Sequence, residues 1–377
     1  MQLSRPFFRA SLVAGALIVS SALGASAHEL DQSDGGSRAV FVQTNDPTGN
    51  QVLAYHRANN GTLTLTGTYD AGGKGGRVEG AAVDPLASQG SLAYDRDHQL
   101  LIGVNAGSDS VYAFEVDGDR LSSRIVLGSG GTVPVSVAVH GDLAYVLNAG
   151  GAGNVHGYRI DDNRLQSIAG SDRSLGLTPV TGPKAFLNTP GQVGFTPDGD
   201  QLIVTTKANG SKIDVFAVGD NGKLSAKPVA NASATPVPFG FVFDPRGHLV
   251  VGEAGASSVS TYSVHANGSL TTIASVPDGQ AALCWIASAH GIDYVANAGS
   301  GTVSGYRIDS SGHPTLIGAT AVGAGPVDLA ASRGGAFVYV QLGGAGQVNA
   351  LKVNADGSLT SVGTVSTNAN QEGIVAI

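Results

Sequence analysis

Tyr294-Val295-Ala296-Asn297-Ala298-Gly299, followed by Val303-Ser304-Gly305-Tyr306, decides the fold. Both runs are short and rich in aromatic and β-branched residues, which reads as two strands, and the Asn-Ala-Gly between them reads as a turn. The first run recurs at Phe41-Val42-Gln43-Thr44-Asn45, Ile102-Gly103-Val104-Asn105-Ala106-Gly107 and Tyr145-Val146-Leu147-Asn148-Ala149-Gly150. It recurs again at Ile203-Val204-Thr205-Thr206-Lys207, Val250-Val251-Gly252-Glu253-Ala254-Gly255 and Tyr339-Val340-Gln341-Leu342-Gly343-Gly344. Successive Asn-equivalent positions lie 60, 43, 59, 46, 44 and 45 residues apart. A strand-rich repeat of about 40–50 residues is the mark of a propeller blade. The expectation is an all-β, seven-bladed β-propeller of four-stranded blades over residues 38–377.

Each repeat divides into strands A to D. In the fourth, Gln192 to Phe195, Gln201 to Thr206, Ile213 to Val218 and Leu224 to Val229 are expected as A, B, C and D. Asp117-Gly118, Asn267-Gly268 and Asp356-Gly357 mark C–D turns, where Asn/Asp-Gly supplies the positive φ of a tight hairpin. Ala39-Val40-Phe41 starts as a strand B with no A before it, and Glu372 to Ile377 finishes as a strand A with no B after it. Pairing them closes the ring and removes two free sheet edges. The two long repeats carry extra residues in D–A loops, Ala71 to Gly90 and Ala169 to Gly191, both expected to overhang the top mouth of the channel. The first, with Gly72-Gly73-Lys74-Gly75-Gly76, reads as a mobile flap whose charges (Lys74, Arg77, Glu79, Asp84) are solvated.

Residues 1–27 read as a secretory signal peptide: Arg5 and Arg9 precede an apolar run from Ala10 to Leu23, and Ala25-Ser26-Ala27 resembles a cleavage site. Residues 28–37 read as a polar tail. The mature protein is therefore expected to be secreted or periplasmic, with no membrane span and as a monomer. Removing Arg5 and Arg9 from the 21 basic residues leaves 19 against 29 acidic ones, a balance that disfavours nucleic acid. Cys284 is the single cysteine, so no intramolecular disulfide forms, and it reads as a buried small hydrophobe. Cleavage after Ala27 would expose His28 as an N-terminal residue, the weaker alternative being copper chelation there.

The motif set Phe195-Thr196-Pro197-Asp198-Gly199, Val146-Leu147-Asn148-Ala149-Gly150, Ser304-Gly305-Tyr306-Arg307-Ile308 and Asp356-Gly357-Ser358-Leu359-Thr360 resembles the lactonase-type propellers. That family includes bacterial 6-phosphogluconolactonase and the fungal 3-carboxymuconate cyclases. The resemblance implies a carboxylic ester hydrolase acting at the top mouth, with no cofactor. In the sugar-lactonase branch, strand A is often entered through Pro followed by His or Arg. Here Pro134, Pro190, Pro238 and Pro326 are followed by Val135, Gly191, Phe239 and Val327. Without such cations to hold substrate and oxyanion, phosphorylated or polyanionic lactones are disfavoured.

The Asn-equivalent column reads Asn45, Asn105, Asn148, Lys207, Glu253, Asn297, Leu342. Asn before Ala-Gly commonly bonds its own turn backbone. Lys207 and Glu253 break the pattern in adjacent blades, either as an ion pair between blades or as a catalytic pair. In the second case Glu253 activates water and Lys207 steadies an oxyanion. Asn105, Asn148, Gln192, Trp285, Asn297, Asp328, Glu372 and Arg77 are the expected ligand-binding residues, Trp285 having core packing as its alternative. The Asn and Glu side chains suit a hard cation, but Lys207 among them opposes one, so no metal is expected. The ligand is expected to be a small, neutral or weakly charged lactone or ester. The competing reading is a binding propeller that kept the fold without its active site.

Overall fold

The computed structural model describes residues 38–377, so the signal peptide and tail expected over residues 1–37, with His28, lie outside the described residues. The described chain forms seven antiparallel sheets, six with four strands in the order expected for a blade and the third with a short fifth strand, Arg173–Ser174, added to Asn154–Asp161. The innermost strands are Ile374–Ala376 (blade 1), Leu92–Asp95 (blade 2), Pro134–His140 (blade 3), Val193–Phe195 (blade 4), Pro238–Phe243 (blade 5), Leu283–Ala289 (blade 6) and Pro326–Ala331 (blade 7). Blade 1 is composite. Its inner strand pairs with Ala39–Gln43 through Val40 opposite Ala376, Phe41 opposite Val375 and Val42 opposite Ile374.

Burial explains the residue choice in each strand position. Second strands are covered on both faces by neighbouring blades, and Leu100–Asn105, Ile292–Asn297 and Phe337–Leu342 are buried at every residue. Hence their near-continuous apolar runs. Outermost strands have one wet face; Leu63–Asp70 and Leu359–Ser366 read as Thr/Ser alternating with partly covered residues. Adjacent blades are also fastened by one recurring polar contact. Tyr145, Tyr294 and Tyr339, each in a second strand, donate their hydroxyls to the carbonyls of Gly222, Gly357 and Gly61 in the C–D turn of the next blade, at 2.7, 2.9 and 3.0 Å. Those glycines have φ of 76°, 92° and 87°, so the turn that accepts the hydroxyl is one that glycine makes without strain.

Two expectations are corrected. In blade 4 the outer strand is Val229–Ala232, paired with Lys212–Val215, while Leu224 forms only a lone bridge to Val218. Pro228 and the polar run before it leave this stretch outside the ladder. The Asn-equivalent column also shifts by one residue in two blades. Val295 pairs with Ser304 and Val204 pairs with Asp214, which aligns Thr206, one residue before Lys207, with Asn297. The pairing of Val42 with Leu53 likewise aligns Thr44, one before Asn45. Asn45 and Lys207 each sit one residue further on, in the left-handed region (φ 47° and 51°), so their side chains leave in a different direction from those of Asn105, Asn148 and Asn297.

Candidate functional site: a plugged channel mouth

The first insertion is no flap. Its segment Val78, Ala81, Pro85, Leu86 and Ala87 is apolar, and Leu86 is fully buried, which alone is worth about 2 kcal/mol. Residues 84–90 descend into the ring and bond to the inner strands around it. Ser88 Oγ donates to Val135 O at 2.8 Å, and Val137 N donates to Gly90 O at 2.8 Å. Gln89 N reaches Gly191 O at 3.0 Å. The Gln89 amide mimics a neighbouring strand, giving Nε2 to Ile286 O (2.7 Å) and taking Ile286 N on Oε1 (2.9 Å). Trp285 Nε1 donates to Ser88 O at 2.8 Å while its ring stands edge-on against Phe239, centroids 5.2 Å apart. The mouth is thereby filled by the chain itself.

Lys207 faces this plug. Its Nζ donates to Ala87 O (2.5 Å), Phe186 O (2.6 Å) and Thr189 Oγ1 (2.8 Å) and lies 5.3 Å from the centroid of the Phe239 ring. All three acceptors are uncharged. Burial therefore holds its pKa down to about 7, against the pull of Asp84 and Glu372. Three acids share the same interior. Asp84, expected as a solvated loop charge, is buried, and its Oδ1 accepts Ala87 N at 2.7 Å. Asp84 Oδ2 and both Glu372 oxygens have no N–H or O–H donor, yet the two carboxyls face each other within hydrogen-bonding range. One shared proton would bridge Asp84 Oδ2 to one Glu372 oxygen and leave the other without a partner, and burial pushes both groups upward. Asp328 (φ 35°) takes its own Leu329 N at 2.9 Å and is pushed up to about 7 by burial. Cys284 is buried nearby, and burial raises its thiol well above the usual range, leaving it inert.

Glu253 lies apart from this group. It is fully buried, and its Oε2 accepts Thr235 N (2.9 Å), Thr235 Oγ1 and Ser260 Oγ (both 2.5 Å), while Oε1 accepts Tyr262 OH (2.5 Å). Lys207 is not among its partners. The structure brings Lys207, Trp285, Asp328 and Glu372 together under the plug and leaves Glu253 tying the connector before blade 5 to that blade's third strand. Gln192 bridges to the next inner strand, with Nε2 on Phe241 O at 3.2 Å and Oε1 under Phe241 N at 2.7 Å. The Asn residues do not bond their own turn backbone as expected: Asn105 Nδ2 donates to Ala71 O and Asn148 Nδ2 to Ser129 O, both in the preceding connectors, and Asn297 Nδ2 donates to Ser304 Oγ on the next strand. Arg77 is exposed and braces the plug from outside, through Ala81 O, Ala82 O and Asn370 Oδ1. Among the described residues no group of three or more His, Cys, Asp or Glu is arranged to hold a metal ion. No helix of the described residues is long and apolar enough to cross a membrane.

Sequence reasoning missed Asp84, Ser88 and Gln89. The available signal was the run from Ala81 to Gln89, whose apolar content does not suit a solvated flap.

The closed ring of seven antiparallel blades defines the class, a seven-bladed β-propeller. The family model described as lactonase, 7-bladed beta-propeller matches residues 90–287 and 201–326, and the chain belongs to this family. Among solved structures, a putative 6-phosphogluconolactonase from Bacteroides fragilis superposes with a TM-score of 0.70 at 17% identity, covering 92% of this chain and 100% of that one. The periplasmic gluconolactonase of Pseudomonas aeruginosa gives 0.69 at 17% identity, covering 91% and 99%. A protein from Lactobacillus plantarum gives 0.68 at 21%, covering 90% and 99%. At these identities the likeness is one of fold. A search of curated proteins finds no match.

Proposed function

We propose that this chain is an exported, monomeric binding propeller of the lactonase family whose channel mouth has become a structural plug. One observation carries this reading: residues 84–90 occupy the mouth and bond to the inner strands of blades 3 and 6 and to Gly191, just before the inner strand of blade 4. A substrate would have to displace them and break those bonds. Glu253 is fully buried, and its four donors tie it to the connector and third strand of blade 5. Turnover measured against aldonolactones, γ-lactones and aryl esters tests the reading, with Lys207→Met as control. Hydrolysis by the wild type that disappears in Lys207→Met overturns it.

A second reading, hydrolysis of a small neutral or weakly charged lactone or ester, is favoured by Lys207 and Asp328 both titrating near neutrality beside the Asp84–Glu372 pair. Buried groups with such values are typical of catalytic acids and bases. With the plug raised, Lys207 would steady the oxyanion, and Asp328 or Glu372 would replace Glu253 as the base that activates water. Absence of turnover on every substrate class removes this second reading.

A further inference from the structure

The repeat provides internal controls for every position, and in the third strands one residue stands out. Pairing with the second strands aligns Leu53, Tyr112, His156, Asp214, Ser260, Ser304 and Asn349. The polar members other than Asp214 are partnered. Tyr112 OH donates to Gln43, His156 bonds Asp172 and Ser167, and Ser260 donates to Glu253. Ser304 donates to Asp278, and Asn349 donates to Val322 O and accepts from Ser361. Asp214 is 4% exposed, and its Oδ1 has no hydrogen-bond partner. An unpaired buried carboxylate oxygen is costly and calls for a reason.

Asp214 lines a groove of about 970 Å³ between the second insertion and the outer part of blade 4. The groove exists because of the strand shift described above: Leu224 to Pro228 stands off the ladder, and Arg173 holds it there by donating to Leu224 O and Ser225 O. Arg173–Ser174 itself pairs with Asn154–Val155, so the far wall is built on blade 3. Leu175, Leu177 and Pro228 supply apolar surface, and Lys212 and Lys227 stand exposed at the rim. Burial pushes Asp214 up to about 6 and the Lys212 charge opposes this, so the carboxyl is mainly ionised at neutral pH.

We infer that this groove binds a small zwitterion, an α-amino acid or short peptide, with its ammonium on Asp214 and its carboxylate at Lys212 and Lys227. A desolvated carboxylate is best satisfied by a charged donor. A simple organic cation would be opposed by the two lysines, which an anionic group on the same molecule converts into partners. The apolar wall suits an aliphatic side chain, and the groove's volume is within the range of small-molecule sites. The site stands apart from the plugged mouth and does not depend on whether the mouth hydrolyses anything.

The test is calorimetric titration of the full mature protein with L-leucine and trileucine, with ethylamine, acetate and sorbitol as partial ligands. Leucine or trileucine binding at micromolar to low millimolar concentration is expected, the tighter of the two identifying free amino acid or peptide as the source. Asp214→Asn and the surface variant Lys227→Glu should each weaken it tenfold or more, with unchanged circular dichroism. Absence of binding by both zwitterions overturns the inference. So does undiminished binding in folded Asp214→Asn, or in Lys227→Glu, or sorbitol binding as tightly as leucine.

Discussion

Replacing Glu253 by Gln separates a structural acid from a catalytic one. The carboxylate collects four donors, three on Oε2 and Tyr262 OH on Oε1, and Tyr262 OH in turn accepts Ala234 N at 2.7 Å. The Gln amide oxygen can keep the three donors at Oε2, but its NH₂ then meets the Tyr262 hydroxyl donor to donor. One charge-assisted bond is lost, worth about 1.5–3 kcal/mol, and the other three fall to neutral strength, roughly 1 kcal/mol less each. Removing a buried charge gives part of this back. A net loss of about 3 kcal/mol is expected, which at urea m-values of about 3 kcal/mol/M moves the midpoint down by about 1 M. Urea denaturation followed by circular dichroism measures it. A loss below about 0.5 kcal/mol would refute the structural account, and an unchanged midpoint with abolished lactone turnover would restore Glu253 to catalysis.

The contributions of Asp328 and Lys207 to stability should run in opposite directions about pH 7. Asp328 has a folded pKa near 7, above its unfolded value of 3.8, so the folded state holds the extra proton and stability falls as pH rises from about 4 to 7. Lys207 has a folded pKa near 7, below 10.5, so the unfolded state holds the extra proton and stability recovers as pH rises from about 7 to 10.5. Asp328→Asn should flatten the loss of stability between about pH 4 and 7 by up to about 4 kcal/mol; an unchanged slope in the variant contradicts the assignment. Gln89→Ala strands Ile286 N and O and should cost about 2–3 kcal/mol, with faster amide exchange across residues 84–90; unchanged exchange there counts against the plug. Trp285 is the only tryptophan, so fluorescence reports on the plug directly. Its emission should be blue-shifted in the wild type and move to longer wavelength in Gln89→Ala before global unfolding, while Trp285→Phe should cost about 1 kcal/mol through the lost bond to Ser88 O.

The repeat made the ring, the hairpin turns and the composite first blade legible, because strand periodicity and Asn/Asp-Gly turns are local signals. Lys207 and Glu253 were visible as departures from their column, but their roles were not. Lys207 sits one residue past the aligned position, a shift that a count along the sequence cannot detect, and it turns the side chain toward the axis. Glu253 keeps the aligned position, and its donors Thr235, Ser260 and Tyr262 come from a connector and a facing strand. The plug was hidden because its glycines and charges resemble a solvated loop, whereas its placement depends on Gln89 and Ser88 meeting backbone groups far away in sequence. Asp214 was accessible in principle, since comparing third strands column by column isolates an acid among residues that are neutral or, in His156, basic.

The composite first blade has a consequence for how the centre of the molecule forms. Its inner strand begins two residues after Glu372, the partner of Asp84, and Gly373 O accepts Gln43 N at 3.0 Å. Joining the last strand to the first therefore delivers the acid that faces the stopper. Assembly of six blades leaves the axis unfinished, because the Asp84 carboxyl lacks its partner until the circle is completed. A pulling force on the final strand should strip Asp84 of its partner in the same step as it opens the circle, while the bonds of Ser88, Gln89 and Gly90 to blades 3 and 6 still hold the stopper in the hub.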